Sequence, residues 1–221
     1  MDQLKELFSS GAFLQATVET LTYVLVAMGV GGVVGLAMGV LLTVTRHGGL
    51  LQNRPIYWTL NFLVNFFRPI PFVLLIFALQ PLARVVVGTG IRDPALMFVL
   101  SFAVTFGIAR LVEQNLLTVS PGVVEAARAM GAGPIRIIFT VLIPEGLGPV
   151  VLGYTFAFIA VVDMTAMAGI IGGGGLGNLA LQYGYRQFNP WVTWSAVLVI
   201  IAIVQLVQVI GNGIARKLLR R

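Results

Sequence analysis

The sequence predicts an all-α, polytopic membrane protein with five transmembrane helices and one short helical segment in a cytoplasmic loop. Three observations predict it. Of the 221 residues, 58% are hydrophobic and only 10% are charged, whereas a soluble domain carries about 25% charged residues. Mean hydropathy is +0.96, and the apolar residues collect in five segments near the ~20 residues that a helical span needs. Between the third and fourth segments the chain turns polar from Val123 to Glu145, broken by Gly131, Gly133, Pro134 and Pro144. The length fits a single transmembrane domain over residues 1–221.

The first span is expected from about Leu21 to Val44. Before it, Asp2, Lys5, Glu6 and Glu19 mix with scattered apolar residues, and no small-residue cleavage site follows the first apolar run, so a retained span is expected. Gly31, Gly35 and Gly39 within it let two helices approach closely, either inside one subunit or across a dimer contact. The second span is expected from about Ile56 to Leu82, interrupted by Arg68, Pro69 and Pro71, and the third from about Pro94 to Leu117, with Arg110 and Glu113 near its end. The fourth is expected from about Leu147 to Ile171, with Asp163 inside it, and the fifth from about Trp191 to Ile214. Tyr57, Trp58, Trp191 and Trp194 sit at span ends, where amphipathic rings prefer the headgroup level.

Charge sets the expected orientation. Arg46, Arg54, Arg110, Arg128, Arg136, Arg216, Lys217, Arg220 and Arg221 fall on one side, and Lys5, Arg84, Arg92 and Arg186 on the other. Nine positives against four put the Val123–Glu145 segment and the C-terminus in the cytoplasm and, with five spans, the N-terminus outside. The net charge of +6 is explained by this rule, with no aromatic-interleaved basic patch for nucleic acid. Cysteine is absent, His47 is the only histidine, and no His, Cys or carboxylate cluster has metal-ligand spacing.

Within the polar segment, Ser120 suits a helix cap and Pro121 the first turn, and Gly131 suits the stop. A second short helix can start at Pro134, with Pro144 as its limit. Val124, Ala127 and Gly131 share one face, a narrow apolar stripe suited to a partner's groove or to the membrane surface. Glu125 and Arg128 lie three residues apart on a neighbouring face. Glu125-Ala126-Ala127, Gly131 and Val141-Leu142-Ile143-Pro144 resemble the E-A-A-x3-G-x9-I-x-L-P signature of ABC importer permeases, with Val141 and Ile143 as conservative departures. The resemblance implies a type I ABC importer permease fold. It makes this segment the coupling helix that docks on a separate ATPase, through Glu125, Ala126, Ala127, Arg128, Gly131 and Pro144. ATP and Mg would be bound by that ATPase, with no cofactor in this chain. A phosphate-cradling loop requires a lysine straight after glycine, but the two lysines of the chain follow Leu4 and Arg216, so Gly172 to Gly177 is expected to be a flexible loop.

Two further stretches narrow the resemblance. Phe66 to Ile76 is similar to the second-span segment of methionine-importer permeases, and Ala166 to Tyr185 to that family's glycine-rich A-M-x-G segment. The family implies a homodimer in the bacterial cytoplasmic membrane, two ATPase subunits, and an extracytoplasmic binding protein delivering D- or L-methionine. Arg68 and Asp163 are the ionisable residues expected within the bilayer, where a charge costs roughly 2.5–3.5 kcal/mol at span centre and so faces protein or water. Arg68 is read either as an anchor for carbonyls freed at the prolines, or ion-pair member, or as part of the substrate path. Asp163 is read either as pairing with Arg68 or Glu113, or as an anionic partner for a substrate ammonium. Asp163-Met164 departs from the family, where a small uncharged and then an aromatic residue are expected, and this opens a cationic amino acid or small peptide as cargo. Met167, one turn past Asp163, would line or close the path by resemblance. Tyr183 and Tyr185 would lie at the outer surface. Against the permease stand a secondary transporter, which usually shows repeated halves, a membrane enzyme, which needs a nucleophile–base pair or metal set, and an assembly scaffold.

Overall fold

The computed structural model describes residues 6, 7 and 9–219, so Lys5, Arg220 and Arg221 of the charge tally lie outside the described residues. Every regular element among the described residues is helical. Helix α1 spans Ala12–Thr45, α2 Arg54–Phe67, α3 Phe72–Ala78, α4 Gln80–Val87 and α5 Arg92–Leu116. Then come α6, Pro121–Ala129; α7, Pro134–Ile137; α8, Ile143–Thr165; α9, Gly175–Leu179; and α10, Pro190–Leu219. Among the described residues, four stretches are each long and apolar enough to cross a membrane: α1, α5, Pro134–Thr165 and α10. The broken pair α2 and α3 makes a fifth when taken as one span.

Helix α1 begins nine residues before the expected Leu21. Gln15, Glu19 and Thr20 lower the hydropathy of that stretch, but the helix continues because their polar groups have partners. Gln15 donates to Glu19, and the Thr20 hydroxyl donates to the Ala16 carbonyl. The second span is not continuous. Arg68 ends α2, with its N–H on the Val64 carbonyl, and Pro71 precedes α3. Arg68 keeps right-handed helical angles although it precedes Pro69, so the break lies after it: Pro69 and Pro71 have no N–H to continue the ladder, and α3 restarts after Pro71, which is extended at ψ 135°. Pro144 does not limit the preceding helix as expected. The turn Ile138–Leu142 is wound as π-helix, and the Ile143 N–H reaches back five residues to the Ile138 carbonyl. The wider turn changes the hydrogen-bond register just ahead of the proline, and the chain continues into α8.

The chain divides into two compact units. One comprises Met1–Gly31, Ile70–Ala103 and Phe158–Val207. Its apolar core includes a cluster around Phe13, Leu176, Leu179 and Val192 and another around Leu75, Ile76, Leu79 and Val99. The other unit comprises Gly32–Pro69, Val104–Ala157 and Gln208–Arg221. In it Gly35 and Gly39 press against α5: a Cβ on Gly35 would lie 2.6 Å from the Thr105 carbonyl oxygen, and one on Gly39 2.6 Å from both the Ala109 oxygen and the Val112 Cβ. At these two glycines, close packing lies inside one subunit. Gly39→Val is therefore expected to cost at least about 2 kcal/mol by overpacking, read as a fall of several degrees in the thermal midpoint in detergent. Gly29→Ala, where a Cβ meets nothing within 4 Å, should leave the midpoint unchanged or raise it.

Candidate functional site

Helix α6 forms where the sequence places it, with Pro121 in its first turn. Ser120 stands at the cap position, but its side chain makes no capping bond; its carbonyl accepts from Val123 N–H instead. The far end closes on Gly131 at φ +81°. Gly131 N–H donates to the Arg128 carbonyl at 2.9 Å and Ala132 N–H to the Ala127 carbonyl at 3.1 Å. That bond pair is the glycine-terminated Schellman stop, which satisfies two otherwise orphaned carbonyls.

The expected docking stripe is rotated. Ala127 is 3% exposed and faces the chain's own body, where α6 packs on α7 and the π-turn. Val124 is half-buried. The exposed apolar stripe is instead Val123, Ala126 and Met130, and beyond the break at Gly131 the apolar Ile135 and Phe139 are exposed as well; Met130 is 82% exposed. The two stripes are offset by one residue in sequence, about 100° around the helix, and both are apolar, so periodicity alone could not choose between them. Glu125 and Arg128 are exposed and form no ion pair among the described residues. With Arg46, Val124 and Gly48 they line a cavity of about 170 Å³.

Arg68 is exposed, and its side chain makes no hydrogen bond or ion pair among the described residues, so the expected anchoring of freed carbonyls is not formed. Asp163 is also exposed, in the last turn of α8, and has no cationic partner among the described residues. The Glu113 considered as its companion is taken by Arg110. Met164 is half-buried. Met167 is 40% exposed but lies beyond α8. Ala166 N–H bonds to the Asp163 carbonyl and Met167 N–H to the Met164 carbonyl, both at 3.1 Å and both i to i−3. This tightened turn sets Met167 off the helix face that it was expected to share with Asp163.

Two polar networks went unread in the sequence. Arg110, counted there as a cytoplasmic charge, is partly buried in α5: one guanidinium nitrogen donates to Glu113, the other to Asn61 Oδ1 at 2.9 Å and Asn65 Oδ1 at 2.6 Å. Asn61 and Asn65, one turn apart on α2, were the signal available. The second network holds the glycine run, which is pinned in place. Gly174, Gly175 and Leu176 donate their N–H groups to side chains of α1 and α5.

Comparison with known proteins decides the family. Residues 31–221 match the family described as binding-protein-dependent transport system inner membrane component. The chain belongs to that family. It is a multi-pass transport permease subunit, not an enzyme. A probable D-methionine transport system permease protein, MetI, of Vibrio cholerae is 39% identical over 95% of this chain and 93% of its own length. The methionine import system permease protein MetP of Bacillus subtilis is 43% identical over 78% of each chain. Among solved structures, the permease resembles a chain of the MetNI methionine ABC transporter in inward-facing conformations, with TM-score 0.88 and 40% identity over 93% of this chain and 95% of that one.

Proposed function

We propose that this permease carries methionine, or a closely related amino acid, across the bacterial cytoplasmic membrane, driven by ATP hydrolysed on separate subunits. The observation that carries the reading is the 39% identity to a D-methionine permease over nearly the full length of both chains. Two copies of this chain would sit on two copies of the ATPase, which would hold ATP and Mg, and an extracytoplasmic binding protein would deliver the cargo. The exposed face of α6, with Glu125, Ala126, Arg128, Met130 and Gly131, would seat in a cleft of the ATPase. Ala127 and Pro144 would shape that segment from within. Transport is then a two-state equilibrium, biased because nucleotide makes the ATPase grip one state better.

Orientation follows from the described charges. Arg46, Arg54, Arg128, Arg136, Arg216 and Lys217, all exposed, stand against Arg84, Arg92 and Arg186, six to three. This excess supports a cytoplasmic C-terminus and an N-terminus outside.

Arg68, Asp163, Met164 and Met167 are assigned to the substrate path. A carboxylate exposed on a transmembrane helix must face water, cargo or a second copy of the chain. Asp163 supports a second reading of the cargo, a cationic amino acid whose side chain it would balance. Proteoliposomes holding the permease, its ATPase and its binding protein separate the two. Methionine uptake should require ATP, resist lysine in excess, and fall about 10–100-fold in Asp163→Asn if a partly desolvated ammonium contact worth about 1.4–2.8 kcal/mol is lost. Competition by lysine would favour the cationic cargo. Uptake by the permease alone, or its abolition by a proton uncoupler with ATP present, would overturn the ATP-driven reading.

A further inference from the structure

We infer that Glu19, Thr20 and Asp93 are positioning residues for the Met164–Met167 turn, acting on it through the glycine run. The inference rests on the assignment of Met167 to the substrate path. A helix start leaves its first N–H groups without intrahelical partners, and the residue before α9, Gly174, offers no side chain to cap them. Neighbouring helices supply the acceptors. Gly175 N–H donates to Glu19 Oε2 at 2.7 Å, and Leu176 N–H to Thr20 Oγ1 at 2.9 Å. Gly174 N–H reaches Tyr23 Oη at 3.1 Å and Asp93 Oδ1 at 3.3 Å, while the Tyr23 hydroxyl donates to that same Asp93 oxygen at 2.7 Å. Gln15 donates to the other Glu19 oxygen at 2.9 Å and holds the carboxylate in place.

The glycines are what this arrangement requires. A Cβ on Gly174 would overlap the Glu19 carboxylate. Gly175 sits at φ +88°, and its Cβ would lie 2.9 Å from Thr20 Oγ1. In the middle of α9, a Cβ on Gly177 would overlap the backbone of Ala166. Ala166 is the residue before Met167, in the turn closed by the Asp163 and Met164 carbonyls. Gly173 N–H donates to the Ala168 carbonyl at 2.9 Å on the far side of that turn. The two carboxylates and the Thr20 hydroxyl thus fix three amides, the amides fix α9, and α9 bears directly on the turn that presents Met167. A charge-assisted bond to backbone N–H is stronger than a neutral one, but an amide oxygen at the same place still accepts.

The chain has no cysteine, so a single Met167→Cys reports on this turn by its rate of alkylation with N-ethylmaleimide in the assembled transporter. Phe188→Cys, 91% exposed, serves as a control. Glu19→Ala should change the rate at position 167 at least 5-fold and leave that at position 188 within 2-fold. Glu19→Gln, which keeps an acceptor oxygen, should leave both within 2-fold. Where Glu19→Ala does not assemble, Thr20→Val removes one acceptor at nearly constant shape and should change the rate at 167 at least 3-fold. An unchanged rate at 167 in the assembled Ala or Val variant overturns the proposal, as does an equal change at both positions. The reading needs no cargo, so failure of methionine uptake in the unaltered protein would strike the proposed function and leave this measurement standing.

Discussion

Gly131→Asp is expected to abolish ATP-driven uptake, by at least about 100-fold, while the protein still inserts and remains folded. Three costs separate cleanly. The left-handed backbone at φ +81° disfavours any L-residue, but by only about 1–2 kcal/mol, and Asp tolerates it better than most. A carboxylate at the end of α6 opposes the helix dipole by about 0.3–1 kcal/mol. Neither term removes the fold, and a Cβ on Gly131 meets nothing within 4 Å of the chain itself. The large term arises only if a partner covers this position, because an unpaired charge buried there costs several kcal/mol, and 100-fold needs about 2.7 kcal/mol. Gly131→Asn has the same shape and the same tolerance of left-handed backbone without the charge, so it should retain much more uptake. Uptake assays beside thermal unfolding of both variants check this. Full uptake in Gly131→Asp means α6 is not seated in an ATPase cleft; loss of the folded protein in both variants means the effect is structural.

The spans were legible because hydropathy is a one-dimensional signal: nearby residues in sequence are nearby along a helix. The break after Arg68 and the stop at Gly131 were legible for the same reason, since Pro69, Pro71 and Gly131 act on their own backbone. What the sequence hid was longer in range. Glu19 and Thr20 find their amides 156 residues away, so a stretch that lowers hydropathy is nonetheless helix. The glycine run reads alone as freedom of backbone, and only the carboxylates across from it show that glycine is there to admit them. The π-turn before Pro144 depends on packing that no local propensity encodes.

The candidate site divides in the same way. The E-A-A residues fix where α6 lies, but Ala127 and Ala126 are neighbours of equal size and polarity, and only tertiary packing turns one inward and leaves the other free. Asp163 and Arg68 stood out because charge is rare in an apolar span. The ion pairs expected to satisfy them were guesses about distant partners, and Glu113 was already committed to a residue on its own helix.

That commitment sets the last expectation. Glu113→Leu should be among the most destabilising single changes in the protein, by about 3 kcal/mol, because it leaves the Arg110 guanidinium partly buried without its counter-charge. The side chains of Arg110 and Glu113 are only 15% and 5% exposed, so water cannot take the place of the carboxylate. Asn61 and Asn65 still accept from the other guanidinium nitrogen, which holds the cost at the lower end of the 3–5 kcal/mol range. Arg110→Leu should cost a similar amount, as it leaves a buried carboxylate with no cation. The double variant replaces both charges by apolar groups of similar reach, and such replacements are often near neutral. It should therefore be more stable than either single variant, with a coupling energy of at least about 2 kcal/mol in a double-mutant cycle. Glu113→Gln, which keeps an oxygen for Arg110, should fall between wild type and Glu113→Leu. Denaturant unfolding in detergent micelles reads all four. Additive losses in the double variant would show that the pair is held by the packing of α5 and α2 and contributes little of its own, and the network would then be a consequence of the fold.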